Sequence, residues 1–440
     1  MTVKPYKTGN DGIRRYNQAY VPTATAIAVP FTNASTALAV VAVPQPDDEE
    51  IVVTPMYEAA VAQYHNVVEP EIFVGIDSDD DQPSTSAAIN GLEGLNQVMT
   101  KYEVPAGMLS KMLELSRFDE AEIIVDDSGS MRLPTDARGP RGEPLNRWWE
   151  AKWRISQMIE LMAHVISPPI TIYYLNRTDT LRLQRNAGET PAAFIERAEV
   201  ALTTSFGIEP AYRTPALEAI EASLSRHPGK SVLRYFLGDG VPNGGEPACR
   251  QIEHMLVYRP NPERNPFTFM SCTGNDADVE WMKECEERAP YCSEFDDYGD
   301  ESREILKDQG KAFPYSFGLH LVAQIVAAFN PTDLDAMDES VPFAHTTLSN
   351  LLGYLSSPQE YRYYFDSFVQ AQRRLPLKPF QRTFVNKLPS LYPQFDSVAS
   401  AALIPEVSQY KAQMRHFGSS VAQRSAASAT YPQDDCCVIL

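Results

Sequence analysis

In the stretch EIIVDDSGSM, Glu122 to Met131, an apolar run passes directly into two aspartates and two serines with no basic residue among them. Asp126, Ser128 and Ser130 follow the spacing D-x-S-x-S, which in a turning loop directs three oxygen ligands to one side, while Gly129 permits the tight bend. Such an all-oxygen set suits a hard cation such as magnesium, with water completing the shell. The same residues also suit a plainer role, because Asp and Ser are common caps ahead of helices. Asp127, inside the motif, reads as a solvent-facing or supporting residue.

The elements that must position this loop begin near residue 100. AEIIVD, ITIYYLN, VLRYFLGD and FTFMSCTG are apolar runs of strand length, rich in β-branched and aromatic residues. Between them lie helical patterns: NRWWEAKWRISQMIELMAHV, TPAAFIERAEVAL, TPALEAIEASLSRH, EPACRQIEHMLVY and DADVEWMKECEERA, followed by YSFGLHLVAQIVAAF after an acidic stretch. Several open on Asn, Thr or Asp in capping position. Alternation of this kind predicts an α/β fold, doubly wound, whose mostly parallel central sheet is covered by helices on both faces. Ligands of such sheets collect beyond the carboxyl ends of the strands, which is where Asp126 falls.

With Asp126, Ser128 and Ser130 after one strand, Thr214 in the T-P pair of AYRTPALEAI, and Asp239 in RYFLGDGVPNG after a later strand, the chain resembles von Willebrand factor A (VWA) domains with a metal-ion-dependent adhesion site. The likeness covers roughly residues 115 to 335 and is greatest to the intracellular, fungal-type members. It implies a VWA/Rossmann-like fold in which Ser128, Ser130 and Thr214 contact a magnesium ion, or manganese in its place, while Asp126 and Asp239 act largely through water. With so few carboxylates the cation stays electron-poor and accepts an acidic side chain from a protein partner. Two departures stand out. Arg213 occupies a place where family members often have glycine, so it covers the site or meets the incoming carboxylate. The segment from Arg132 to Arg147 is longer than the family's usual link and reads as a basic, flexible flap.

Composition sets outer bounds. The net charge of −20 over 440 residues argues against non-specific nucleic-acid binding, which needs a basic surface, and favours divalent cations and basic partners. Six cysteines give no dense disulfide framework and no metal-type pairing with histidine, so Cys249 and Cys272 read as core residues in a reducing compartment. His164, His254 and His320 lie on apolar helix faces, and the acidic stretch Glu294 to Glu304 reads as a solvated loop. No signal peptide or membrane-spanning run is expected.

Three regions follow: a mostly disordered acidic extension over 1–100, the VWA-like domain over 101–356, and a partly helical linker and tail over 357–440. Within the extension, DDEEIVVTP (Asp47 to Pro55) and EIFVGIDSDDD (Glu71 to Asp81) look like SUMO-interacting motifs, with Ser78 suited to an acidophilic kinase, or else form part of a solvated acidic tail. At the other end Cys437, Val438, Ile439 and Leu440 match a C-a-a-X box of the geranylgeranyl type, with Cys436 as a second acylation site. The combined expectation is a non-enzymatic adaptor on the cytosolic face of membranes. A magnesium-dependent hydrolase using Asp126, Asp127 and Asp239 is the enzymatic alternative, though no nucleophile elbow or phosphate-binding loop accompanies it. A SUMO-binding nuclear scaffold is the third.

Overall fold

A computed structural model of the chain describes residues 85–414 apart from 140–141, 332–333, 335–336 and 338–339. The two SUMO-type segments, Ser78, and the tail with Cys436 and Cys437 lie outside the described residues. The described chain divides into two compact units, with boundaries at Arg303/Glu304, Pro314/Tyr315 and Asp335/Ala336.

In chain order the elements of the larger unit are α1 (Thr85–Tyr102), α2 (Gly107–Leu113), β1 (Glu120–Val125), β2 (Pro134–Arg138), β3 (Pro144–Asn146), α3 (Arg147–Met162), β4 (Ile170–Tyr174), β5 (Leu181–Leu183), α4 (Pro191–Phe206), α5 (Ala216–Arg226), β6 (Val232–Gly238), α6 (Glu246–Tyr258), β7 (Phe267–Ser271), α7 (Asp276–Arg288), β8 (Cys292–Phe295), α8 (Tyr298–Gln309) and α9 (Phe317–Val326). The last residues of α8 already belong to the smaller unit.

Six strands form one sheet in the order β5, β4, β1, β6, β7, β8. All neighbours run parallel except β4 and β5, so the sheet is mixed. The three residues of β5 carry no apolar run that would mark them as a strand; the short connection after β4 turns them back along its edge. β1 lies at the centre, with Ile123 opposite Ile172 on one side and Tyr235 on the other. Every residue of β1 and β6 is buried, which explains why both read as near-continuous apolar text.

Alternation along β6 sends neighbouring rings to opposite faces. Phe236 joins Ile124, Ile220, Ile252, Phe269 and Trp281 in a core under α5, α6 and α7. Tyr235 faces the other layer and donates its hydroxyl to the Ile325 carbonyl of α9 at 2.7 Å. There the fully buried Trp148 of α3 packs on Phe206 of α4 with ring centroids 4.3 Å apart and donates to the Phe206 carbonyl at 2.9 Å. Side-chain caps start these helices: Asn146 accepts from Trp149 N, Thr190 from Ala193 N and Ser316 from Leu319 N.

Two segments read as loops carry structure. β2 and β3 pair antiparallel, closed by Gly139 N to Glu143 O at 2.9 Å, so the stretch after Arg132 is a hairpin. The acidic stretch from Glu294 spends its charge on structure. Asp297 Oδ1 accepts from Gly299 N and Asp300 N at 2.7 and 3.1 Å, and Asp300 and Glu301 follow in the first turn of α8, where the helix dipole favours them. Cys249, Cys272, Cys285 and Cys292 are buried and form no disulfide, and burial pushes the Cys272 thiol well up. His320 is buried against the Tyr315 hydroxyl at 2.9 Å and against Gln324. Among the described residues no helix is long and apolar enough to cross a membrane.

The smaller unit is helical: α10 (His345–Leu352), α11 (Pro358–Arg374) and α12 (Pro379–Ser397). The residues from 357 on thus supply more than a link. Ser357 and Glu360 close a capping box at the start of α11, and Tyr361, Tyr364, Phe365 and Phe368 of that helix are fully buried with Phe395 of α12. Tyr364 donates to Gln309 Oε1 at 2.6 Å and accepts from Phe343 N at 2.9 Å, so its polar end is satisfied within the core.

Glu122 breaks the apolar text of β1 and is wholly buried. Arg226 Nη1 donates to its Oε1 at 2.8 Å, Ser223 to its Oε2, and Arg234 Nε lies 3.6 Å from Oε2. Truncating Glu122 to Ala leaves the buried Arg234 without its counter-charge and should cost about 3–5 kcal/mol. The measurement is the denaturant midpoint, which should fall well below that of the native chain; an unchanged midpoint refutes the assignment.

Candidate metal centre

β1 and β6 end side by side, and Asp126 N extends their ladder by donating to Leu237 O at 2.8 Å. From β1 the sheet continues in one direction to β4 and in the other to β6. The order therefore reverses at β1, and a crevice at such a point is the usual ligand position of an open sheet. Asp126 leaves the tip of β1 and Asp239 the tip of β6. Gly238, just before Asp239, packs under the Phe236 ring: a Cβ there would lie 2.6 Å from that ring.

Asp126 is fully buried. Its Oδ1 accepts from Ser128 N at 2.8 Å, whereas its Oδ2 has no hydrogen-bond partner. Burial pushes this carboxyl up to about 7, against the hydrogen bonds from Ser128 and with a smaller contribution from the charge of Asp239. Ser128 Oγ lies 3.1 Å from Ser130 Oγ, and Ser130 Oγ donates to Asp239 Oδ1 at 2.8 Å. Four of the expected residues thus form one hydrogen-bonded chain across the tips of the two central strands.

Thr214 is delivered by a separate loop held through its main chain. Ala211 N donates to Asp127 O at 2.7 Å, Gly129 N to Tyr212 O at 3.2 Å, and Asn243 N to Thr214 O at 2.8 Å. Thr214 N in turn donates to Asn243 Oδ1 at 3.3 Å. Tyr212 adopts a φ of 76°, unusual for a residue with a side chain, while 84% exposed. The Thr214 hydroxyl makes no hydrogen bond with the other four residues. Arg213 is exposed, and its carbonyl accepts from Asn176 Nδ2 at 2.9 Å.

The contacts of several further residues could not be read from the sequence. Asp127 is 4% exposed, not solvent-facing: its Oδ1 accepts from Asn176 N and Nδ2 at 2.8 and 3.0 Å, so it clamps the end of β4 to the Thr214 loop. Arg147, the first residue of α3, donates from Nη1 to Asp239 Oδ2 at 2.6 Å. Asn243 stands in the already quoted GDGVPNG, but only the fold shows what it holds. Glu150, one turn beyond Arg147, is 2% exposed with Oε2 unpartnered, and burial pushes it up to about 7 despite nearby Arg154.

These residues fit a hard cation by their chemistry. The donors are hydroxyl and carboxylate oxygens, and Asp126 presents a buried oxygen that nothing in the chain satisfies. Among the described residues no group of three or more His, Cys, Asp or Glu is arranged to hold a metal ion. No protein-family model matches the chain, and no curated protein matches its sequence.

Glu150 makes stability depend on pH in a defined direction. The folded chain keeps a proton that the unfolded chain releases near 4.5, so stability falls as pH rises from about 4.5 to about 7. Glu150→Gln should flatten that slope, raising the melting temperature relative to the native chain more at pH 8 than at pH 5. Parallel pH profiles for the two proteins would contradict the assignment.

Proposed function

We propose that the larger unit is a VWA-type, magnesium-dependent protein-binding module, and that the chain is an adaptor without catalytic activity. The observation that carries the reading is the continuous chain Asp126, Ser128, Ser130, Asp239 at the tips of β1 and β6, with Asp126 Oδ2 buried and unpartnered. The strand order agrees with a doubly wound, VWA/Rossmann-like architecture.

In this reading Ser128, Ser130 and Thr214 hold the cation, and Asp126 and Asp239 orient the water around it. The bound cation supplies a positive centre that accepts a carboxylate from a partner protein. The chain's own residues do the rest. Asp127 and Asn176 keep the Thr214 loop in position, and the exposed Arg213 stands ready to pair with the incoming acid.

Isothermal titration of the full chain with magnesium, and with manganese as its substitute, should show one site. Ser128→Ala and Ser130→Ala should each weaken it by about tenfold or more. Binding unchanged in both variants would remove the serines from the site and with them the proposed mechanism.

Membrane tethering is a separable part of the proposal and rests on the Cys437–Leu440 tetrapeptide. Cys437→Ser should move the protein from the membrane to the soluble fraction of cells. Retention at the membrane by the variant would reject the lipid anchor and leave the metal reading standing.

A further inference from the structure

The Asp239 carboxylate is already engaged at both oxygens. Ser130 Oγ donates to Oδ1 at 2.8 Å and Arg147 Nη1 to Oδ2 at 2.6 Å. The pair is enclosed: the Arg147 side chain is 14% exposed and that of Asp239 fully buried, and the Arg147 Nε is buried with no partner of its own. Arg147 is brought there by two local devices. Its own N–H donates to Leu133 O at 3.0 Å across the base of the hairpin, and Asn146 caps the helix that it begins.

A guanidinium in this position has one electrostatic consequence whatever its structural value. It neutralises one of the two carboxylates nearest the serines and adds positive charge beside any cation that enters. Between side chains as buried as these, that repulsion is poorly screened.

We propose that Arg147 is the resident cation of the site: it occupies Asp239 in the metal-free protein, competes with the divalent ion for that carboxylate, and thereby sets the metal affinity low. The inference rests on the metal reading above and adds the residue that tunes it. A pair that served only to staple α3 to the tip of β6 would stabilise the fold and leave metal affinity untouched, so affinity separates the two roles.

The test uses the full chain titrated with magnesium chloride at constant ionic strength, followed by calorimetry and by melting temperature. Arg147→Gln should bind magnesium about tenfold more tightly than the native chain, melt lower without metal, and gain more degrees on adding it. Arg147→Lys, which keeps the charge, should stay within about twofold of the native affinity. Arg132→Gln removes an exposed charge whose Nε lies 3.4 Å from Gly129 O, and should also change affinity by no more than about twofold.

Arg147→Gln binding no more tightly than the native chain overturns the proposal while native binding that Ser128→Ala abolishes leaves the metal site intact. Equal tightening by Arg132→Gln overturns it too, since any nearby charge would then suffice. Absence of binding in every protein removes the metal reading and this inference together. If Arg147→Gln does not fold, the Arg147 Nε–H resonance of the native chain decides: it should shift as magnesium saturates the site, and an unmoved signal at saturation overturns the proposal.

Discussion

Two buried aspartates at the tips of adjacent central strands impose the constraint around which the larger unit is arranged. Neither can be left bare, because an unpaired buried carboxylate costs more than a marginally stable fold can spare. The chain resolves the two differently. Asp239 receives a hydroxyl and a guanidinium, whereas Asp126 receives one backbone N–H and keeps a second oxygen unserved. The asymmetry leaves the site short of positive charge at one point, and that point lies beside two serine hydroxyls.

The surrounding loops follow from the same constraint. The β1 loop passes through Ser128 into a single 3-10 turn, Gly129–Arg132, and the hairpin of β2 and β3 brings Arg147 against Asp239. The Asp127 carboxylate, buried within the same motif, faces away from this chemistry and joins the end of β4 to the neighbouring loop. Adjacent aspartates in the sequence thus serve opposite ends of one design, the first as an electrostatic deficit and the second as a mechanical tie.

How much of this was legible depended on whether a signal was local. β1, β4, β6 and β7 lie where continuous apolar runs announced them, and α3 to α7 where capping residues and helical period did. β5 is three residues long and owes its direction to its neighbour, and β8 lies inside acidic text whose carboxylates cap a helix, so neither had a pattern to find. The D-x-S-x-S loop was readable because its spacing is short. Arg147 fell within the segment read as a basic flap, but its pairing was not readable, because only the fold brings it against a residue 92 positions away. The aromatic text after 357 read as a partly helical linker because its rings follow no long apolar run, yet α11 buries four of them in a core of their own.

The Thr214 loop is fastened to its neighbours almost wholly through peptide groups: Ala211 N, Tyr212 O, Arg213 O, and both polar atoms of the Thr214 backbone. Anchorage of that kind is indifferent to what the side chains are. Tyr212 and Arg213 are exposed on this frame, so exchanging their side chains leaves its peptide hydrogen bonds in place. One scaffold can in this way acquire new recognition without renegotiating its own folding.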